Sequence, residues 1–559
     1  MIMLAHPARA AFLQRSMLFP RITTARHTIC TAEFIETDND LSLTSDRWQE
    51  PPLLDEARAF FTPRGIALRV AFGAPTGWRT TARIAVRANP SDDGAAMVGM
   101  FKPGTHEVLP CRLDPGCHLP HHPAINTALE AVTRQLASSG ALSAYEEMGA
   151  GRGGRGTLRY LQFAVERSTR RVQVTLVANA PSLEADPSLE RFADDLWAAH
   201  GRSAPVALGD DGARDGEPLL HSLWVNLNDS KNNNILAYGE SAWWLMHGQT
   251  DSASSTAALQ FLHELLPDRA ELAAAAQEEA EGEGAVDVSY DLDAKQLLAD
   301  GGSLVERMPS GAAFVLPPYV FRQANLEQFD QIVQQVVAAV PVGAKVVEWY
   351  AGVGVLGLSL ASRAAWVQCS DINPPYAAFE ASRLMLPSEL RPRVTYAVGA
   401  AGERLEDARG ADTAVVDPPR KGLDAALLTA LCEVADANAP CAGLRTLVYV
   451  SCGFPALVHD AEQLLAAGWG VRGEEATAHI LFPGANHIET VVVFEREDGR
   501  AAGAAQSVLA ADVEEPAEAP AEEEMKDRAE PPRARRPRDP ASSPRARRLA
   551  KKKRQPPTE

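Results

Sequence analysis

Cys452 closes the run TLVYVSC, and Glu489, with His487 two residues before it, opens the run ETVVVFER. A thiol and a carboxylate at the ends of two strands can divide one difficult reaction between them. Carbon 5 of a pyrimidine is a poor nucleophile. A thiolate that adds to carbon 6 makes an enolate-like intermediate whose carbon 5 can attack a methyl sulfonium. A base must then take the carbon 5 proton, so that elimination restores the ring and frees the cysteine. A free thiol titrates near pH ~8.5, so such a site either activates it or uses the small thiolate fraction. Taken singly, the residues are ordinary. A lone cysteine beside a strand is usually a small buried hydrophobe, and an isolated His-x-Glu is usually surface decoration.

Other strings supply what that chemistry would need. AVVDPPRKGLD sets Asp417 at the end of a predicted strand, where open α/β sheets put their ligands. Pro418 and Pro419 stiffen the loop, and Arg420 and Lys421 add positive charge suited to phosphate. Asp417 alone also reads as a helix cap or turn residue; the full string is far more specific. VVEWYAGVGVLGLSLA places Glu348, Tyr350, Gly352, Gly354 and Gly357 between a strand and a helix. Glycines permit sharp turns and close approach to a ligand, although GxGxxG alone is a weak signal. Asp371 ends the next strand, VQCSD, where a carboxylate can accept hydrogen bonds from ribose hydroxyls. A dinucleotide and S-adenosylmethionine both fit such a loop. Glu348 favours the second, because a carboxylate attracts a cationic methionine end and repels a pyrophosphate. Asn373-Pro374-Pro375-Tyr376 spells the NPPY of amino-group methyltransferases, but it follows the second strand, whereas that motif follows the fourth. It reads as a proline-rich helix start.

The elements that must carry these residues follow from composition and rhythm. The chain has 559 residues, 46% hydrophobic and 23% charged, as in a globular protein of two or three domains. No run reaches the ~18 apolar residues of a membrane helix, so no membrane partner is expected. Seven scattered cysteines without a CxxC pair argue against a disulfide framework and against structural zinc; reduced thiols and no metal are expected. The net charge of −19 argues against a generic nucleic-acid coat but not against a local basic groove. Residues 1–51 form an arginine-bearing, targeting-like or disordered N-terminus with no acid before Glu33. Residues 52–248 alternate short β-like runs with turns and read as a mixed, strand-rich α+β domain. Residues 249–307 are an acidic, alanine-rich insertion. In 308–497, strand-like runs alternate with helical ones, the mark of a parallel sheet with crossover helices. TAHILF and ETVVVFER add an antiparallel hairpin expected at the sheet edge. This suits an α/β, class I S-adenosylmethionine-dependent methyltransferase better than a dinucleotide-binding domain. Residues 498–559 read by composition as a disordered tail, acidic and then basic.

Residues 308–497 resemble the RNA uracil-C5 methyltransferases, which make 5-methyluridine in tRNA or rRNA. The likeness runs in order through FRQAN, EWYAGVGVLG, VVDPPRKGLD, YVSCGF and FPGANHIET. The upstream segment is similar, more weakly, to that of a plant and algal branch through GWRTTARIAVR, VGMFKPGTHEVLP, GTLRYLQFAV and HSLWVNLND. The resemblance implies a methyl transfer to C5 of a uridine through a covalent cysteine adduct. Cys452 would be the nucleophile and Glu489 the base. Asp417 would hydrogen-bond the uracil edge and border the cofactor. Gln323 would contact cofactor or uracil. Glu348, Tyr350, Gly352, Gly354 and Asp371 would hold S-adenosylmethionine. Arg420 and Lys421 would meet RNA.

The sequence departs from the family pattern at identifiable places. The usual SCNP reads Ser451-Cys452-Gly453-Phe454, and the usual Asp and Cys of the glycine loop are Glu348 and Ala351. Only Cys30 precedes Cys111, so the iron–sulfur motif common in the family is missing and no cluster is expected. A catalytically silent RNA-binding or assembly factor that keeps the fold is the alternative from another class. An NAD-dependent oxidoreductase leaves DPPR, SC and HIE unexplained. The N-terminus suggests an organelle, plastid or mitochondrion, and the basic tail allows the nucleus.

Overall fold

The computed structural model describes residues 50–496, apart from 90–94, 103–104, 112–118, 148–153, 203–217, 231–233, 238–241, 250–293, 295, 373–374 and 434–437. The targeting-like N-terminus, most of the acidic insertion and the acidic-then-basic tail therefore lie outside the described residues.

The chain enters through helix α1 (Leu53–Phe61) and strand β1 (Ala67–Phe72). The upstream sheet follows: β2 (Thr81–Ala88), β3 (Ala96–Phe101), β4 (Val108–Pro110), a small side pair β5 (Glu146–Glu147) and β6 (Gly154–Arg155), then β7 (Leu158–Val165), β8 (Val172–Ala178), β9 (Leu220–Leu227) and β10 (Trp243–Gly248). Its main strands lie in the order β10-β9-β8-β7-β2-β3-β4, antiparallel except for β8 beside β9. Alternation along β2 turns Ala82, Ile84 and Val86 to the core that α2 (Pro123–Ser139) and α3 (Ser188–His200) cover. The hairpin β11 (Leu304–Arg307) and β12 (Ala313–Leu316) joins this sheet to the next. There Arg167 bonds Glu306 and Asp330, Arg322 pairs with Glu306, and Gln162 donates to the Pro318 carbonyl.

The C-terminal part supplies α4 (Leu326–Ala339), β13 (Lys345–Trp349), α5 (Val355–Ser359), β14 (Trp366–Asp371), α6 (Tyr376–Leu384), β15 (Val394–Val398), β16 (Thr413–Val416), α7 (Ala425–Cys432), β17 (Thr446–Ser451), α8 (Phe454–Ala466), β18 (Gly470–Ile480) and β19 (Glu489–Glu495). With β1 they form one eight-stranded sheet in the order β1-β18-β19-β17-β16-β13-β14-β15. All strands are parallel except β19, which runs against both neighbours. Along β13, Val346 faces the core under α4, α5 and α6, while Val347 and Trp349 face the core under α1, α7 and α8. Both faces are therefore buried, as a parallel sheet requires. The reversal of strand order between β13 and β16 opens the crevice where such sheets bind ligands.

The structure differs from the sequence reading at two places. Residues 53–72 fall inside the predicted upstream domain, yet α1 and β1 belong to the C-terminal sheet. Leu54, Phe60 and Phe61 bury themselves against Phe454 and its neighbours, and β1 pairs in parallel with β18. The hairpin β18–β19 is consequently not at the edge; β1 covers it. Cys369, Cys432, Cys441 and Cys452 are free thiols, whereas Cys111 is disulfide-bonded, against the expectation of reduced thiols throughout. Of the proline-rich helix start read at Asn373-Pro374-Pro375-Tyr376, the first two residues lie outside the described residues; α6 begins at Tyr376, after Pro375.

Candidate active site

The glycine loop turns the chain from β13 into α5 through three left-handed residues. Tyr350 has φ 64°, Gly352 56° and Gly354 77°. For tyrosine that conformation is strained, and the side chain is tied down. Its hydroxyl donates to Asp424 Oδ2 and accepts the Asp424 backbone N–H, both at 3.0 Å. The Gly352 N–H donates to Asp371 Oδ2 at 3.1 Å, and the Gly352 carbonyl accepts the Tyr396 hydroxyl at 2.6 Å. A Cβ at Gly354 would come within 2.7 Å of the Phe379 ring, while one at Gly352 would meet nothing within 4 Å. The loop is thus braced from behind and open in front. Beside it, Ile372 and Val398 are exposed at the carboxyl ends of β14 and β15, next to the Asp371–Val398 register pair. Sequence reasoning missed these two aliphatic residues. Their signal is an apolar residue at, or just past, the last position of a strand.

Glu348 is not where the sequence argument needs it. Alternation along β13 turns it beneath α5, away from the open face of the loop. It is buried, accepts from the Cys369 thiol at 3.0 Å, and lies so close to Gly357 that a Cβ there would sit 2.3 Å from Oε2. Burial raises its carboxyl to about 8, with Asp417 and Asp371 pushing the same way. Glu348 thus supports the loop as a mostly neutral acid. A buried, mostly neutral Glu348 does not separate a sulfonium ligand from a pyrophosphate.

Asp417 follows β16, half-buried, and burial raises its carboxyl to about 7. The rest of DPPRKGLD is clamped at its far end. Asp460 Oδ2 accepts the Leu423 N–H at 2.9 Å and the Tyr449 hydroxyl at 2.7 Å, and Asp424 Oδ2 accepts the Gly402 N–H at 3.0 Å. Arg420 and Lys421 are exposed. Cys452 follows β17, half-buried, with Sγ 3.8 Å from the Pro418 carbonyl. At Gly453, where the sequence departs from SCNP, a Cβ would fall 2.3 Å from the Arg420 carbonyl oxygen, so glycine lets the DPPR loop approach this closely. Phe454 is buried and packs 6.2 Å from Phe60 and 6.0 Å from Phe61 of α1.

The last paired residues of β17 and β19 are Ser451 and Thr490. Cys452 and Glu489 are therefore the next residues on two facing antiparallel strands. Glu489 is buried, and its Oε1 lies 3.7 Å from His487 Nε2. Burial, with Arg420 nearby, lowers His487 to about 4, so the imidazole is neutral at physiological pH and this is no ion pair. Gln323 sits half-buried between β12 and α4 and makes no hydrogen bond among the described residues. Its neighbours fix the loop: the Ala324 carbonyl accepts the Thr80 N–H at 2.7 Å, and Asn325 caps α4 and donates to the Leu481 carbonyl at 2.9 Å.

Asp371, the glycine loop, Asp417 and Cys452 thus follow the carboxyl ends of β14, β13, β16 and β17, and Glu489 opens the antiparallel β19 at the same edge; these strands are adjacent in that order. An open glycine turn beside a carboxylate and two exposed aliphatic side chains suits the sugar, base and methionine parts of S-adenosylmethionine. The sheet order and this edge define a class I S-adenosylmethionine-dependent methyltransferase. No family model matches the chain. An uncharacterised RNA methyltransferase of Protochlamydia amoebophila is 31% identical over 425 residues, 76% of this chain and 87% of that protein. A tRNA (uracil(54)-C(5))-methyltransferase of Pyrococcus furiosus is 34% identical over 181 residues, 32% of this chain and 40% of that protein. Among solved structures, the Pyrococcus abyssi tRNA (uracil-54, C5)-methyltransferase with S-adenosyl-L-homocysteine matches with a TM-score of 0.49 at 19% identity, covering 79% of this chain and 81% of that one. The chain belongs to the RNA methyltransferase family of the Protochlamydia protein. Among the described residues, no helix is long and apolar enough to cross a membrane.

Proposed function

We propose that the protein methylates carbon 5 of a uridine in tRNA or rRNA through a covalent adduct with Cys452. The observation that carries this reading is the register of β17 against β19, which sets Cys452 and Glu489 next to each other on facing strands. When bound, S-adenosylmethionine supplies an electrophilic methyl carbon. Asp371 would hold its ribose, Ile372 and Val398 one face of its base, and the Tyr350–Gly354 turn its methionine part, with Gln323 and Asp417 at the boundary with uracil.

The chain's own groups divide the remaining work. The Cys452 thiolate adds to carbon 6 of uracil, and the electron pair moves to carbon 5 and the adjoining carbonyl. Asp417, as carboxylate, accepts the hydrogen bond of the uracil N3–H. After carbon 5 has gained the methyl group, Glu489 takes its proton, the carbon 5–carbon 6 double bond re-forms, and the Cys452 sulfur leaves. His487 beside Glu489 is neutral and does not hold the carboxylate in an ion pair. A stacked duplex hides both faces of the ring, so the uridine enters flipped or from a single strand. Arg420 and Lys421, exposed on the rim, meet RNA phosphate.

The test uses tritiated-methyl S-adenosylmethionine and total RNA lacking 5-methyluridine. Label is expected in 5-methyluridine, and it is expected to be lost in Cys452→Ala while cofactor binding stays intact. Glu489→Gln is expected to accumulate a nuclease-sensitive protein–RNA adduct, since addition and methylation precede the step it blocks. Turnover by Cys452→Ala would sink the mechanism. Bound cofactor with no label in any RNA would favour the silent-factor alternative.

A further inference from the structure

The segment leaving β1 carries a cation for which the reading above has no role. Residues 73–80 run from the carboxyl end of β1 toward the upstream sheet. Along the way the Arg79 N–H donates to the Pro120 carbonyl at 2.7 Å, and the Arg79 carbonyl accepts the His122 N–H at 2.9 Å. Strands β1, β18 and β17 share one direction and β19 opposes them, so this segment emerges at the edge that carries Cys452 and Glu489. Trp78 is buried there and meets the Phe482 ring edge-on at 5.7 Å. Phe482 packs edge-on against His487 at 4.9 Å, and His487 lies 3.7 Å from the Glu489 carboxylate. The Arg79 guanidinium carbon lies 5.0 Å from the Trp78 ring centre and 5.9 Å from that of Phe482. A continuous stack therefore leads from Arg79 to the proposed base.

Arg79 differs from the arginines at the domain junction. Arg167 is neutralised by Glu306 and Asp330, and Arg322 by Glu306. No carboxylate among the described residues pairs with Arg79, and burial alone lowers it, to about 10, so it stays charged at neutral pH. A desolvated charge without a counter-ion is costly. Two aromatic faces offset part of that cost and fix the guanidinium plane. Such a group is preorganised for an external anion, and a planar guanidinium matches phosphate in a two-point bond. Of the anions an RNA substrate brings to this edge, a flipped nucleotide presents a backbone phosphate on each side.

We propose that Arg79 binds a backbone phosphate flanking the flipped uridine and so registers the nucleotide over Cys452. This rests on the uridine reading above. Arg79 is a substrate-binding residue that positions and reads no base.

The test measures binding of a fluorescein-labelled single-stranded RNA containing one uridine, across a salt series, to wild type, Arg79→Ala and Arg79→Lys. Arg79→Ala is expected to weaken binding about tenfold at low salt and to lower the slope of log K against log salt by about 0.7, one phosphate contact on a single strand. A methylphosphonate replacing one phosphate next to the uridine is expected to weaken wild type but not Arg79→Ala. Arg79→Lys should recover the slope but only part of the affinity. S-Adenosylmethionine affinity should be unchanged and the melting temperature should not fall, which separates lost contact from lost fold. An unchanged slope in Arg79→Ala, equal methylphosphonate sensitivity in wild type and variant, or no binding by wild type at low salt would each overturn the proposal. Methylation of an atom other than uridine C5, with the slope change intact, would overturn the uridine reading alone.

Discussion

Glu348 shows how strand alternation decides what a carboxylate can do. Val346 and Glu348 share one face of β13, and that face lies beneath α5, so the acid ends against Cys369 and Gly357 rather than over the open loop. Its carboxyl is raised to about 8, against an ordinary value near ~4.3. The folded protein then keeps a proton that the unfolded chain releases once pH passes its ordinary value. Stability therefore falls as pH rises between those two values. Glu348→Gln keeps the shape and removes the titration. The variant is expected to match wild type near the low end of that window and to exceed it increasingly toward pH ~8, by at most about 5 kcal/mol, since a tenfold difference in proton affinity between folded and unfolded chain corresponds to ~1.4 kcal/mol. Thermal melts across the window check this; parallel wild-type and variant curves would show that Glu348 is ionised in the fold. The sequence contains the alternation that buries Glu348: Val346 and Glu348 fall on one face of β13. It contains no comparable signal for Trp78 and Arg79, whose aromatic partner Phe482 lies about 400 residues away in sequence and whose isolation from carboxylates is a property of the packed site alone.

At the scale of elements, the site is a set of loops held from behind by buried polar groups. The string DPPRKGLD was legible as a ligand loop because prolines, basic residues and a strand-ending Asp rarely coincide. Its anchors were not, because Tyr449 and Asp460 sit on β17 and α8 and each looks like an ordinary residue of its element. Asp460 is buried, and its Oδ2 accepts both the Tyr449 hydroxyl and the Leu423 N–H. Removing one donor leaves a buried carboxylate less well satisfied. Tyr449→Phe is therefore expected to cost about 1–3 kcal/mol of stability and to let the loop shift. Asp417 and the Arg420 carbonyl over Gly453 would move with it. Methyl transfer at saturating cofactor should fall more than cofactor affinity, because Tyr396 and Asp371 brace the glycine loop in addition to the Tyr350–Asp424 bonds that join it to this one. Equal losses in turnover and cofactor affinity would show that the two loops move as one. Cys452 and Glu489 were legible as a pair because each stands at the end of a continuous apolar, strand-like run; their opposition needed only the register.

At the scale of the whole molecule, the N-terminal segment completes the catalytic sheet from a distance. Helix α1 supplies Phe60 and Phe61 to the pocket that buries Phe454, two residues after the proposed nucleophile. The Leu53 N–H donates at 2.9 Å to Asn486, in the turn just before His487 and Glu489. Strand β1 covers the β18 edge, which would otherwise present unpaired backbone groups. One stretch thus touches both catalytic turns and closes the sheet, although sequence order assigns it to the upstream domain; composition cannot show that the chain visits the C-terminal sheet first and returns to it after the other domain is built. A chain starting at Gly73 keeps every strand of the upstream sheet and every proposed catalytic residue. It is nevertheless expected to melt lower, to self-associate through the bared β18 edge, and to lose methyl transfer. Removal of two phenylalanines from a shared cluster costs about 3–5 kcal/mol each, and marginal stability cannot absorb both. Adding a peptide of residues 50–72 in trans should restore monomeric elution and part of the activity. A monomeric, fully active truncated chain would show that the sheet is complete without its first strand.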